Sequence, residues 1–84
     1  MVYKNSDFKR DKSQEDSNVK YWFESKDGIL ISLVTKGDYN NAEVRVSGND
    51  FDSFRIPMSD SIYEKISTQE VLNVAVKNLN RRVK

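Results

Sequence analysis

The stretch "VKYWFESKDGILISLV", residues 19–34, decides the fold. It reads as two strands around a tight turn, and the length of that turn sets the register. A two-residue Asp27-Gly28 turn pairs Phe23 with Ser32 and Tyr21 with Val34, which mixes the faces. A three-residue loop, Lys26-Asp27-Gly28, pairs Ser25 with Ile29, Phe23 with Ile31 and Tyr21 with Leu33, and so keeps like with like, as register selection demands. It also places Gly28 at the left-handed position of the loop, where a missing Cβ is needed. By parity one face carries Val19, Tyr21, Phe23, Ile29, Ile31 and Leu33. The other face still carries Trp22, Leu30 and Val34, a second apolar surface that one buried face does not need.

Downstream, "AEVRVS" (42–47) alternates cleanly, with Ala42, Val44 and Val46 on one side and Glu43, Arg45 and Ser47 on the other. "SFRIPM" (53–58) puts Phe54, Ile56 and Met58 on one face and Arg55 on the other. Pro57 has no N–H for a ladder, so this strand ends there or lies at an edge. "KGDYNN" (36–41) and "GNDFD" (48–52) read as loops from their Gly, Asp and Asn content. The C-terminal part reads as helix in two pieces. Ser61 with Glu64, and Ser67 with Glu70, each have capping-box spacing. A break near Ser67 lets the second helix present its own stripe, Leu72, Ala75, Val76, Leu79 and Val83. The expected architecture is α+β: a four-stranded antiparallel sheet followed by one or two C-terminal helices packed on one face.

Residues 1–18 alternate basic with acidic side chains and show no apolar period, so they read as a mobile polar tail before a single domain over 19–84. Phe8 is the exception within it. At 84 residues the chain holds one domain, and a domain of this size buries roughly 60% of its unfolded surface, so association adds useful stability. Cysteine and histidine are both absent, which removes disulfides, thiolate metal sites and the usual proton-transfer side chain near neutral pH. No apolar run approaches the roughly 18 residues of a membrane span. A cytoplasmic protein without a membrane role is the expectation. Lys, Asn, Ile, Tyr and Phe far outnumber Gly, Ala, Arg and Pro, a usage that points to an AT-rich bacterial or bacteriophage genome.

With helices on one side of the sheet, the other side presents Trp22, Leu30 and Val34 among Lys20, Glu24, Glu43, Arg45 and Arg55. An apolar centre ringed by charge marks a contact surface; the alternative is that Trp22 closes a small second core with the N-terminal segment. The partner-binding residues expected from this reading are Lys20, Trp22, Leu30, Val34, Arg45 and Arg55. Their mixed signs favour a protein partner or self-association, because paired charges fix orientation. A second class of partner is single-stranded nucleic acid, stacked on Trp22 with phosphates held by basic residues. The C-terminal "VKNLNRRVK" supplies Lys77, Arg81, Arg82 and Lys84 for that role, or simply complements the helix dipole. No catalytic, cofactor or metal residues are expected: Asp50 and Asp52 read as turn formers, and no phosphate-binding glycine loop is present.

The hairpin "YWFESKDGILISLV" and the passage "FRIPMSDSIYEKI", an apolar strand running into a serine-led cap and an amphipathic helix, resemble the positive-cofactor-four family of single-stranded-DNA-binding transcriptional coactivators. The resemblance covers about residues 19–70. It implies a dimeric scaffold of sheet and supporting helix with a role in binding single-stranded DNA. Here "VTKGD" stands where that family carries basic and acidic residues after the second strand, and acidic "GNDFD" where it carries a basic stretch before the last strand, so the resemblance implies reduced DNA-binding charge. The combined expectation is a small non-enzymatic binding protein, such as a phage or mobile-element inhibitor or adaptor, that occludes a macromolecular partner.

Overall fold

The computed structural model describes residues 2–35 and 42–82. Five strands follow one another in both sequence and space: β1 (Phe8–Arg10), β2 (Val19–Ser25), β3 (Leu30–Thr35), β4 (Ala42–Ser47) and β5 (Phe54–Met58), all antiparallel. Two helices follow, α1 (Asp60–Lys65) and α2 (Thr68–Arg82). The sheet therefore has one strand more than the four expected. The additional strand comes from the N-terminal segment, where Phe8 pairs with Ser25 and Arg10 with Phe23. Phe8 is buried in the core, against the Tyr3 ring. A polar segment with one large ring gives no periodic signal; it is the end of the β2–β3 hairpin that offers the ring a place to bury.

The hairpin forms as its residues dictate. Gly28 has φ +86°, Ser25 N–H donates to the Ile29 carbonyl at 2.9 Å, and Phe23 pairs with Ile31 and Tyr21 with Leu33. The three-residue loop thus commits alternate residues to opposite faces. One face gathers Phe8, Phe23, Ile31, Leu33, Val44, Val46 and Phe54, and α2 covers it with Val71, Leu72, Ala75, Val76 and Leu79. Ile31, Leu33, Val44 and Leu79 have no exposed surface at all. Burial of this kind, at roughly 25 cal/mol per Å2 of apolar area, is the main favourable term in the fold. β5 is an edge strand, which accommodates Pro57 opposite Glu43.

The helical part breaks where its caps require. Ile66 is extended (φ −67°, ψ 137°), and α2 starts from a reciprocal capping box: Ser67 Oγ accepts from Glu70 N–H at 3.2 Å, and Glu70 Oε1 accepts from Ser67 N–H at 3.1 Å. The cap of α1 is Ser59, whose Oγ accepts from Ile62 N–H, and not the expected Ser61. Ile62, in the first turn of α1, is 51% exposed. The expected loop at 36–41 and the stripe residue Val83 lie outside the described residues. No helix among those described is long and apolar enough to cross a membrane.

Candidate functional site

The second face of the sheet is the one opposite α2; a short 3-10 turn, Lys12–Gln14, lies against β2 beside it. Residues paired in register share a face and lie side by side about 4.8 Å apart. The register places Trp22 opposite Ser32, Ser32 opposite Arg45 and Arg45 opposite Arg55. One transverse row therefore crosses four strands as Trp22–Ser32–Arg45–Arg55, spanning roughly 14 Å. Just past the end of β1, Asp11 continues the row beyond Trp22: its N–H donates to the Trp22 carbonyl at 2.9 Å, while its Oδ1 accepts from Ser13 N–H at 3.0 Å. On one side lies the row Lys9–Glu24–Leu30–Ser47, and on the other Val19–Val34–Glu43–Pro57.

Several residues of these rows are nearly covered. Val34, Ser32 and Glu43 are each only 7% exposed, and Trp22 and Leu30 are half-buried. Trp22 Nε1–H donates to Glu24 Oε1 at 3.1 Å, which steers the indole along its own strand. Glu43 Oε2 accepts from Arg45 Nε at 2.7 Å and lies 3.9 Å from Arg55 Nη1. Two like charges directly opposite one another on neighbouring strands repel. A nearly buried carboxylate beside both offsets that repulsion, while the two guanidinium side chains remain 50% and 63% exposed.

Of the expected partner-binding residues, the structure brings Trp22, Leu30, Val34, Arg45 and Arg55 onto this face. Lys20 is elsewhere. The register shifts between Val19 and Tyr21, so Val19 pairs with Val34 and joins the open face. Lys20 is turned to the other side, where its Nζ donates to the carbonyls of Tyr63 at 2.5 Å and Glu64 at 3.1 Å and lies over the Tyr63 ring. There the ammonium meets the carbonyl end of α1, where a cation is favoured. A bulge of one residue reverses parity for everything before it, and strict alternation could not foresee that. Val34, although on the face, is only 7% exposed and offers little contact.

The alternative nucleic-acid residues form a separate group. Lys77, Arg81 and Arg82 are exposed on α2, on the opposite side of the sheet from Trp22. The guanidinium of Arg82 lies 4.1 Å from the centre of the Phe54 ring and closes that end of the core. Lys84 lies outside the described residues. Asp50 and Asp52 are exposed in the β4–β5 turn.

Sequence reasoning missed the buttress behind Trp22. Glu15 accepts two hydrogen bonds from Arg10, at 2.8 and 2.7 Å, and a third from Trp22 N–H at 3.2 Å. The Arg10 guanidinium, helped by that backbone N–H, holds the Glu15 carboxyl below the usual range. It missed an N-terminal strap as well. Asn80 Oδ1 accepts from Tyr3 N–H at 2.7 Å, and Asn80 Nδ2 donates to the Tyr3 carbonyl at 3.0 Å. The Tyr3 hydroxyl donates to Asp27 Oδ2 at 2.8 Å, so residues 3–5 tie α2 to the hairpin turn. That hydrogen bond, to an ionised acceptor, pushes the Tyr3 hydroxyl up to about 12. Beside the strap an open cleft of about 810 Å3 runs along β1, with Asp7, Asp11, Glu24 and Asp27 interleaved with Lys9 and Lys26. Comparison with protein-family models, with curated proteins and with solved structures returns no match for this chain.

Proposed function

We propose that this chain is a small non-enzymatic protein-binding module that acts by occluding a macromolecular partner through the open face of its sheet. The observation that carries the reading is the transverse row: Trp22 stands in register with Arg45 and Arg55 on the face opposite α2. Trp and Arg are the residue types that dominate binding hot spots, because each offers large contact area together with directed polar or ionic contacts. Leu30 and Val19 extend the apolar part, and Glu24 and Lys9 supply charges of both signs at the rim, which fix orientation. An inhibitor or adaptor encoded by a phage or mobile element fits the AT-rich residue usage. Single-stranded nucleic acid is the second reading, favoured by the same indole lying in line with two arginines; Glu24 and Glu43 on that face weigh against it.

Capture of a partner from cell extract on the immobilised chain, followed by mass spectrometry, tests the reading. The partner is expected to be retained by Lys77→Ala and Arg81→Ala and lost by Trp22→Ala and Arg55→Ala. Capture should persist at high salt, because an apolar centre supplies most of the affinity, whereas phosphate-driven binding weakens steeply with salt. A captured species eluted by salt and by loss of the α2 cations would overturn the assignment of the face.

A further inference from the structure

The open face contains a self-complementary pattern. Read across the strands, the central row is Asp11, Trp22, Ser32, Arg45, Arg55. Read in the opposite direction it is Arg55, Arg45, Ser32, Trp22, Asp11. A twofold axis lying along β3 in the plane between two stacked sheets brings these two readings face to face. It sets Asp11 against Arg55, Trp22 against Arg45 and Ser32 against Ser32. On the flanking row, Leu30 meets Leu30 along the axis. Two aligned sheets cross at about 30°, so Ser32, at the crossing point, stays closest to its counterpart.

We infer that the open face docks onto a second copy of this chain, with Trp22 and Asp11 of each copy receiving the Arg45 and Arg55 guanidiniums of the other. The chemistry that drives this is visible in the single chain. Arg45 and Arg55 are directly opposed like charges, more than half of their combined side-chain surface lies in solvent, and both lean on one carboxylate, Glu43. A second copy adds an indole face for Arg45 and, for Arg55, a carboxylate beyond the Glu43 that it shares with Arg45 at 3.9 Å. The hydroxyl of Ser32, the smallest side chain of the row, leaves room at the centre for the sheets to approach. The face measures about 20 by 20 Å from strand and residue spacings. That is smaller than the roughly 800 Å2 per partner of a standard interface, so the dimer is weak and reversible. It is a mask over the binding face that a tighter partner displaces, and in this respect the inference rests on the function proposed above.

Sedimentation velocity on the full chain, from about 1 μM to roughly 500 μM, reads the equilibrium directly. The single tryptophan provides a second signal, since its emission shifts to the blue as the ring is covered. The expected result is a reversible monomer–dimer equilibrium, with Arg45→Glu and Trp22→Ala each weakening it at least tenfold. Asp11→Arg alone and Arg55→Asp alone each oppose like charges twice in a homodimer and weaken association. An equimolar mixture of these two variants restores it, because the mixed dimer contains two opposite-charge pairs. Since the chain has no cysteine, Ser32→Cys gives a chain whose only thiol lies at the axis, and oxidation should link it to itself. Thermal melting of each variant separates lost association from lost folding.

A chain that remains monomeric at the highest concentration overturns the inference. So does a dimer whose strength ignores these substitutions, or a mixture that associates no better than its components. If Trp22 is covered only on adding oligothymidylate, the occupant is nucleic acid and the inference falls. A strict monomer that still loses its captured partner on Trp22→Ala removes the dimer and leaves the functional reading standing. A dimer broken by Arg45→Glu with no partner dependent on Trp22 does the reverse.

Discussion

The two faces of the sheet are built from alternate residues of the same strands, yet they are closed by different means. Phe23 and Trp22 are chain neighbours. Phe23 is sealed among Ile31, Val46 and α2, while Trp22 is half-buried, with its indole N–H held by the Glu24 carboxylate. One face excludes water by bringing a second layer onto it. The other is only partly closed, with its indole half-buried and its two guanidinium side chains 50% and 63% exposed. A face closed in the second way tolerates water in the single chain and retains free energy to gain from a partner. That contrast is why a sheet with two apolar faces need not be a folding error.

The sharpest break in this comparison is the pair of substitutions at adjacent residues. Phe23→Ala should cost about 3–5 kcal/mol of stability, because it leaves a cavity under α2. Trp22→Ala, measured in dilute monomer by urea denaturation, should cost less than half of that. Equal costs would mean that the open face is as much a core as the covered one. Next in size is the turn that assigns residues to faces. Gly28→Ala should cost about 1 kcal/mol or more, because φ +86° is strained for any residue with a Cβ. A neutral result would indicate a hairpin free to choose another register, and with it another pair of faces.

Ser67→Ala should cost about 1 kcal/mol by removing half of the capping box that starts α2. A stabilising outcome would point to one continuous helix and a different stripe turned to the sheet. The smallest expected effect concerns the strap. The Tyr3 pKa is raised from 10.0 to about 12 by its hydrogen bond to Asp27, so its contribution is complete below pH 10 and is lost as pH climbs through the raised value. Asp27, lowered by hydrogen bonds from Ser25 and Tyr3, contributes above the ordinary carboxylate range and loses that contribution as pH falls through its depressed value. Thermal melting of the wild type should therefore decline more between pH 10 and 12 than that of Tyr3→Phe. Indistinguishable alkaline limbs would show that the strap does not hold α2 to the hairpin.

The sequence by itself determined everything that follows from local period and local geometry. Gly28 requires a left-handed residue in a three-residue loop, and that single requirement sets the register Phe23–Ile31 and assigns Trp22 to the face opposite the core. Ser67 and Glu70 are three residues apart and close their own capping box, so the helix break was legible as well. What only the tertiary structure decided depends on partners far along the chain. Phe8 carries no periodic signal, and β1 exists because Phe8 has Phe23 and Tyr3 to pack with and Arg10 has Glu15 to hold it. Lys20 alternates correctly on paper, but a bulge one residue before Tyr21 sends its ammonium to the carbonyl end of α1. The row of Trp22, Ser32, Arg45 and Arg55 draws on four strands, and its first and last members are 33 positions apart in the sequence. Each residue was visible as a candidate, but their alignment was not, because parity says which face a side chain takes and only the ladder of strand pairings says which side chains stand next to one another.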